Sequence, residues 1–187
     1  MEISYKGANC VEIVTKKATM VVDGALAQLG LKDITPKDAV QLATFTDYLP
    51  KEHNSLVVDG PGEYEINDIT VVGVPARRHI APGQEKEATM YRIVTDDVTV
   101  VIVGHVAGPL TEEQLEALGV VDIAIVPVGG SGYTLDSHGA VEVVKQLDPK
   151  VVAQVEHIDP ATLKDRKVAA RIAIRFARRS RATCRRL

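Results

Sequence analysis

The sequence predicts an α/β chain built as a layered sandwich, with sheets covered by helices. Three observations support this. The N-terminal half is a series of short, β-branched stretches separated by turn residues. From residue 110 onward, helical and strand patterns alternate. Apolar residues make up 45% of the 187-residue chain, which is enough for one sizeable core.

Nine strands are predicted in the first half, each short and rich in Val, Ile or Thr. They are EISYKG, CVEIVTK, ATMVVDG, AVQLAT, SLVVDG, EYEI, ITVVGVPA, TMYRIVT and VTVVIVG. Pro61-Gly62 and Asn67-Asp68 mark turns between them. The stretch TDDV at 95–98 predicts a hairpin between the last two strands.

Two helices alternate with two strands in the second half. LTEEQLEALG is a short helix, with Thr111 as its N-cap and Gly119 as its stop. LDSHGAVEVVKQLDP is a longer one, capped by Asp136 or Ser137 and stopped by Pro149. The continuous apolar run VDIAIVPV predicts a buried strand, and KVVAQVEHID predicts another.

Cysteine usage and hydropathy favour a cytoplasmic protein. Cys10 and Cys184 are far apart and are the only two cysteines, so a disulfide framework is not expected. No apolar run approaches the roughly 20 residues that cross a bilayer, and the first residues lack a signal-peptide pattern.

The charge is divided unevenly along the chain. Residues 162–187 carry ten Lys or Arg and one acid, a net +9, whereas the rest carries 12 basic and 24 acidic residues, a net −12. We therefore divide the chain into a domain at 1–161 and a basic amphipathic helix with a disordered end at 162–187. Docking of this helix on the acidic body is favoured. The alternatives are nucleic-acid binding through residues 164–187 and binding of the tail to an anionic membrane surface.

The string PVGGSGYTLD at 127–136 is the most distinctive in the sequence. Three glycines between a strand and a helix could present backbone N–H groups to an anion. The endings of the phosphate-binding loop and of the dinucleotide fingerprint are both absent. A tight strand-to-helix turn therefore explains the glycines better.

The five histidines form no local metal-binding pair. Three of them, His79, His105 and His157, each follow a predicted strand, and strand ends are where sheet proteins assemble sites from distant segments. Each alone is explained by an ordinary surface or loop position. Together they add the alternative of a site assembled from strand ends, beside that ordinary explanation.

The order of strings resembles that of metallo-β-lactamase-fold hydrolases. The matching strings are MEISYKGANCVEIVTKKATMVVDG, VDGPGEYEINDITVVGVPARRH and VIVGHVAGPLTEEQLEALGVVDIAIVPVGGSGYTLDSHGAVEVVKQLDPKVV. More narrowly, they are similar to a small bacterial branch of zinc-dependent hydrolases near the ascorbate-6-phosphate lactonase-like proteins. Over residues 1–160, the resemblance implies a four-layer αββα sandwich with a binuclear metal site at one edge. A metal-bound hydroxide would then attack a carbonyl or phosphoryl centre.

The metal ligands that the resemblance implies are incomplete in this sequence. The family's His-x-His-x-Asp-His segment should follow AVQLAT, where this chain has Phe45-Thr46-Asp47-Tyr48. Asp47 is the candidate remnant, as a base or a ligand, and His53 lies too far along to substitute.

The remaining ligand positions are also altered. His79 has a family counterpart, and His105 stands where the family has a bridging aspartate. The last ligand position falls on Glu156 or, with a one-residue slip, on His157. This set could hold one zinc or manganese ion, but not the family's pair.

Three functions stay open from the sequence. The first is a hydrolase-like protein with a degenerate metal site that binds a small molecule. The second is a metal-dependent lactone or phosphoester hydrolase with a rearranged or mononuclear site. The third is a nucleic-acid-associated protein acting through its tail. Sheet edges and the tail's apolar stripe make a homodimer plausible.

Overall fold

A computed structural model describes residues 1–52, 55–79, 87–95, 98–129, 134–155 and 173–175. Its core is two six-stranded sheets. The first sheet has the order β12-β1-β2-β3-β4-β5, with β3, β4 and β5 parallel and the other pairs antiparallel. Its strands are β1 (Glu2–Gly7), β2 (Cys10–Val14), β3 (Thr19–Val22), β4 (Val40–Leu42), β5 (Leu56–Val58) and β12 (Ala173–Arg175).

The second sheet has the order β11-β10-β9-β8-β7-β6, with β9, β10 and β11 parallel and the other pairs antiparallel. Its strands are β6 (Gly62–Ile66), β7 (Ile69–Arg77), β8 (Glu87–Thr95), β9 (Val98–Ile102), β10 (Ile123–Pro127) and β11 (Val151–Val155). All nine strands predicted for the first half of the chain are present. The predicted pairing of β8 with β9 is confirmed.

The two sheets pack face to face over a shared aliphatic core. Ile13 and Met20 of the first sheet and Ile93 and Ile102 of the second belong to one cluster and are fully buried. The next residue along each strand points to the opposite face, as the period of two requires. Burying a side chain of this size stabilises the fold by about 1.5–3 kcal/mol.

Two helices cover the outer face of the second sheet: α1 (Glu112–Leu118) and α2 (Ser137–Leu147). Helix α1 begins with the predicted cap, since Thr111 and Gln114 form a reciprocal capping box. Helix α2 is capped by Asp136, whose side chain accepts the Gly139 N–H. On the outer face of the first sheet, the segment 24–39 packs against β2 and β3. The layered α/β sandwich is therefore confirmed.

Only three residues of the predicted basic helix and tail are described. Ala173–Arg175 form a strand antiparallel to β1. The edge of β1 has N–H and C=O groups with which a distant segment can pair as a strand. The helical pattern of the local sequence carries no information about that pairing. The rest of the basic tail lies outside the described residues. None of the described helices is long and apolar enough to span a bilayer.

The strand directions bring many chain segments to one edge of the sandwich. Strands β3, β4 and β5 all end at the same edge of the first sheet, because they are parallel. Strands β7, β9, β10 and β11 end together in the second sheet, and β8, which runs the other way, begins there. Backbone contacts join these two edges, which we call the strand-end edge. The main-chain N–H of Thr89 in β8, for example, donates to the carbonyl of Thr44 after β4, at 2.9 Å.

Candidate functional site

A buried carboxylate anchors the strand-end edge. Asp23 directly follows β3 and is only 3% exposed. It accepts the Thr44 N–H at 2.8 Å and the Thr44 hydroxyl at 2.7 Å, and it also accepts from the Asn9 side-chain amide. Burial raises the pKa of Asp23 to about 6, although these hydrogen bonds act in the opposite direction. The carboxylate fixes the point where the chain leaves β4.

Thr44 is the residue through which the two sheets meet at this edge. A Cβ atom added to Gly104 would lie 2.7 Å from the Thr44 methyl group, so the chain after β9 passes directly against Thr44. Gly104 has a φ of +68°, which glycine adopts at little cost. Glycine is therefore required here both by its backbone conformation and by the close approach.

Beyond Thr44, four side chains form a compact group that we call the aromatic–arginine cluster: Phe45, Tyr48, Arg78 and His105. The Arg78 guanidinium lies 4.0 Å from the centre of the Phe45 ring, and it donates to the Tyr48 hydroxyl at 3.3 Å. The rings of Tyr48 and His105 lie 4.6 Å apart, centre to centre. Burial raises the pKa of Tyr48, an effect that nearby Arg78 partly offsets, so this phenol is neutral at physiological pH.

Two of the predicted histidines are neighbours in this edge. The main-chain N–H of His79 donates to the carbonyl of His105 at 3.0 Å. The segments that follow β7 and β9 therefore run side by side. His105 is buried, with 2% of its surface exposed. The Nδ1 atom of His79 is also buried and has no hydrogen-bond partner among the described residues.

Of the other predicted site residues, the structure describes Asp47 alone. Asp47 lies exposed in a short 3₁₀ turn, Thr46–Tyr48. Glu156 and His157 lie outside the described residues, and so does His53.

The described groups after β4 do not supply the metal ligands that the resemblance implies at that position. Zinc is held by imidazole, thiolate or carboxylate groups at about 2.0–2.3 Å. After β4, the chain instead offers the hydrocarbon ring of Phe45 and a neutral phenol, with the Arg78 cation beside both. A resident positive charge opposes the binding of a metal ion. Within the described residues, no three His, Cys, Asp or Glu side chains are grouped so that they could share an ion.

A cavity of about 420 Å³ opens beside the aromatic–arginine cluster. It is lined by Thr44, Phe45, Thr46, Asp59, Pro61, Glu87 and Thr89. We call it the strand-end cavity. A larger hollow of about 710 Å³ lies where β4 and β5 begin, at the opposite end of those strands, and its lining shares no residue with the cluster.

The sequence contained a weak signal for Asp23, which the prediction missed. In TMVVDG, Asp23 directly follows an apolar strand. His105 likewise follows the apolar strand VTVVIVG, so both residues stand at the end of a strand. Arg78 gives no such signal, because its role comes from contact with rings on a distant segment. The strand-end cavity is likewise built from three separate stretches of chain.

Sequence comparison gives one match that covers most of the chain. The model of the beta-lactamase superfamily domain matches residues 2–156. Among curated protein sequences, none matches this chain significantly.

Solved structures with the same arrangement come from bacteria and archaea. A protein from Thermotoga maritima, assigned as a zinc-dependent hydrolase of the metallo-β-lactamase superfamily, is 24% identical with a TM-score of 0.64; the match covers 82% of this chain and 74% of that protein. The metallo hydrolase Igni18 from Ignicoccus hospitalis is 15% identical with a TM-score of 0.62, over 95% of this chain and 100% of Igni18.

A third similar structure is a hydroxylase. CmlA, a diiron β-hydroxylase from Streptomyces venezuelae, is 15% identical with a TM-score of 0.58, over 82% of this chain and 44% of CmlA. The match thus spans less than half of CmlA. At these identities the likeness establishes the fold and leaves the chemistry open.

Proposed function

We propose a function for this chain from one premise: it belongs to the beta-lactamase superfamily domain family. It has the metallo-β-lactamase fold, as the similar metal-dependent hydrolases do. In our proposal the chain uses that fold to bind a small molecule at the strand-end edge, with a degenerate metal site and little or no hydrolase activity.

The observation that carries this proposal is the aromatic–arginine cluster. Two of its members, Phe45 and Tyr48, follow β4, where the resemblance puts the densest group of metal ligands. Phe45 has no lone pair to donate to a metal, and the Arg78 guanidinium packs on its ring at 4.0 Å. Hydrolysis by a metal-bound hydroxide needs at least one ion held with an open coordination position. The groups after β4 favour binding over that reaction.

One observation favours a second candidate function. The main chains of His79 and His105 are hydrogen-bonded to each other, and the His79 Nδ1 atom is buried. With Asp47 and either Glu156 or His157, these histidines would make a mononuclear zinc or manganese site in a lactone or phosphoester hydrolase. This alternative predicts that His105→Ala lowers both metal content and turnover.

The first experiment is elemental mass spectrometry on protein purified without chelator and without added metal, followed by a lactone and phosphoester screen. We expect much less than one zinc or manganese ion per chain and no turnover above that of the His105→Ala variant. A stoichiometric ion together with turnover that this variant loses would establish the hydrolase instead. Circular dichroism of both proteins confirms that the variant is folded.

The basic tail supports a separate proposal of nucleic-acid association, which rests on its charge of +9. Deleting residues 178–187 should then abolish salt-sensitive RNA binding, and unchanged binding would reject this role.

A further inference from the structure

We propose that the strand-end cavity binds a small organic cation that carries a primary ammonium group. This inference rests on the ligand-binding function proposed above and names its ligand class. The cavity, of about 420 Å³, falls within the range of sites that enclose small molecules.

The charge of the cavity walls favours a cation. Two of the seven described lining residues are carboxylates, and they come from separate segments: Asp59 follows β5, and Glu87 begins β8. None of the ion pairs within the described residues involves either one. Among the residues that the structure describes, no lysine or arginine lines the cavity. An anionic ligand would therefore meet two like charges there.

The uncharged walls are suited to an ammonium group on a short carbon chain. The hydroxyls of Thr46 and Thr89 can accept hydrogen bonds from N–H donors. The ring of Phe45 supplies an apolar surface for the carbon chain of such a ligand. Arg78 already packs on this ring from outside the lining, so the ammonium group is expected at the two carboxylates and not on the ring.

A bare divalent metal ion fits the cavity less well. Calcium takes six to eight oxygen ligands, and magnesium requires near-octahedral geometry. The described residues contain no group of three His, Cys, Asp or Glu side chains arranged around an ion. The cavity volume also greatly exceeds that of one ion. An organic cation can fill the space while its ammonium group meets the carboxylates.

The test uses isothermal titration calorimetry on the full-length protein with three probes of similar length. They are 1,4-diaminobutane, the neutral 1,4-butanediol and the anionic succinate. We expect only the diamine to bind. We also expect Asp59→Asn and Glu87→Gln each to weaken its affinity by roughly tenfold or more, since each removes a charge-assisted hydrogen bond.

Glu63→Gln is the matched control, because Glu63 is an exposed carboxylate on β6 that does not line the cavity. It should leave diamine affinity unchanged within about twofold, which is well inside the tenfold effect. Equal binding of the diol would overturn the inference, and so would binding of succinate. Diamine binding that survives both cavity variants would also overturn it, as would absence of diamine binding.

The same protein preparation separates this inference from the proposed function. If the chain holds no metal, shows no turnover and does not bind the diamine, the ligand class is wrong and the binding function still stands. If the chain holds metal and hydrolyses a substrate, the proposed function is wrong. Titration with calcium and magnesium completes the design, since displacement of the diamine by either ion at equal concentration would assign the carboxylates to a metal site and overturn the inference.

Discussion

Asp23 is the residue whose chemistry most constrains the strand-end edge. Its carboxylate is buried and holds Thr44 through two hydrogen bonds, yet its pKa is raised to about 6 from an ordinary value of 3.8. A raised carboxyl pKa means that the folded state binds the proton more tightly than the unfolded state does. The ionised form that exists at neutral pH therefore lowers the stability of the fold. Buried ionisable groups that lower the stability of the fold in this way are common at functional sites.

Asp23 predicts a specific pH dependence of stability. Its contribution to the free energy of unfolding is greatest below about pH 4, falls as the pH rises to about 6, and is level above that. At about 1.4 kcal/mol per pKa unit, the fall is on the order of 3 kcal/mol. Asp23→Asn removes this dependence, because an amide does not titrate. In urea denaturation, the variant should gain stability relative to the parent chain between pH 4 and pH 7.

Asp122, a carboxylate whose pKa is lowered and not raised, serves as the control. The hydrogen bond from Lys150 lowers the pKa of Asp122, so the stability that Asp122 contributes is lost as the pH falls. The Asp122→Asn variant should therefore lose stability relative to the parent chain as the pH rises. A difference between the parent chain and Asp23→Asn that stays constant with pH would show that Asp23 does not titrate as described.

At the scale of elements, the two sheets are tied together at the strand-end edge by Tyr91. Its hydroxyl lies on β8 and reaches the carbonyl of Ala43, after β4, at 2.8 Å and that of Val58, at the end of β5, at 3.1 Å. The Val58 carbonyl also accepts the Ala43 N–H. One buried side chain of the second sheet therefore bridges the ends of two strands in the first.

Tyr91→Phe is predicted to destabilise the chain by about 1–3 kcal/mol, because it removes the phenol that donates to the buried Ala43 carbonyl. Tyr64→Phe is the matched control. Its hydroxyl lies 3.1 Å from the Gly60 carbonyl at a partly exposed position, so its loss should cost less. Urea denaturation of both variants measures the difference. Equal losses would mean that the bridge does not contribute more than a surface hydrogen bond.

The elements themselves were largely predictable, because their signals are local. The capping box of α1 lies within a few residues of sequence, and β2 and β3 show the expected β-branched composition. The site was less predictable, because its contacts join distant segments. Arg78 meets Phe45 across 33 positions, and Gly104 meets Thr44 across 60. The placement of His79 and His105 at strand ends could be read in advance, and the sequence held a weaker signal of the same kind for Asp23.

At the scale of the whole molecule, the inner faces of the two sheets form one shared core. Neither inner face is buried without the other. Ile13 on β2 and Ile93 on β8 are both fully buried in the same cluster. Chains longer than about 150 residues often unfold through intermediates. Here, however, separating the sheets would expose the inner faces of both, which opposes independent unfolding.

This arrangement predicts that a cavity made in one sheet destabilises the other equally. Ile13→Ala and Ile93→Ala should each cost about 2–5 kcal/mol. In native-state hydrogen exchange, each variant should accelerate the slowest amides of both sheets by the same factor, because those amides exchange through global unfolding. Val120→Ala, at a position 81% exposed, should leave the same amides unchanged. If Ile13→Ala accelerated exchange only in the first sheet, the sheets would be separate folding units, and the strand-end edge would be a contact between two parts that open independently.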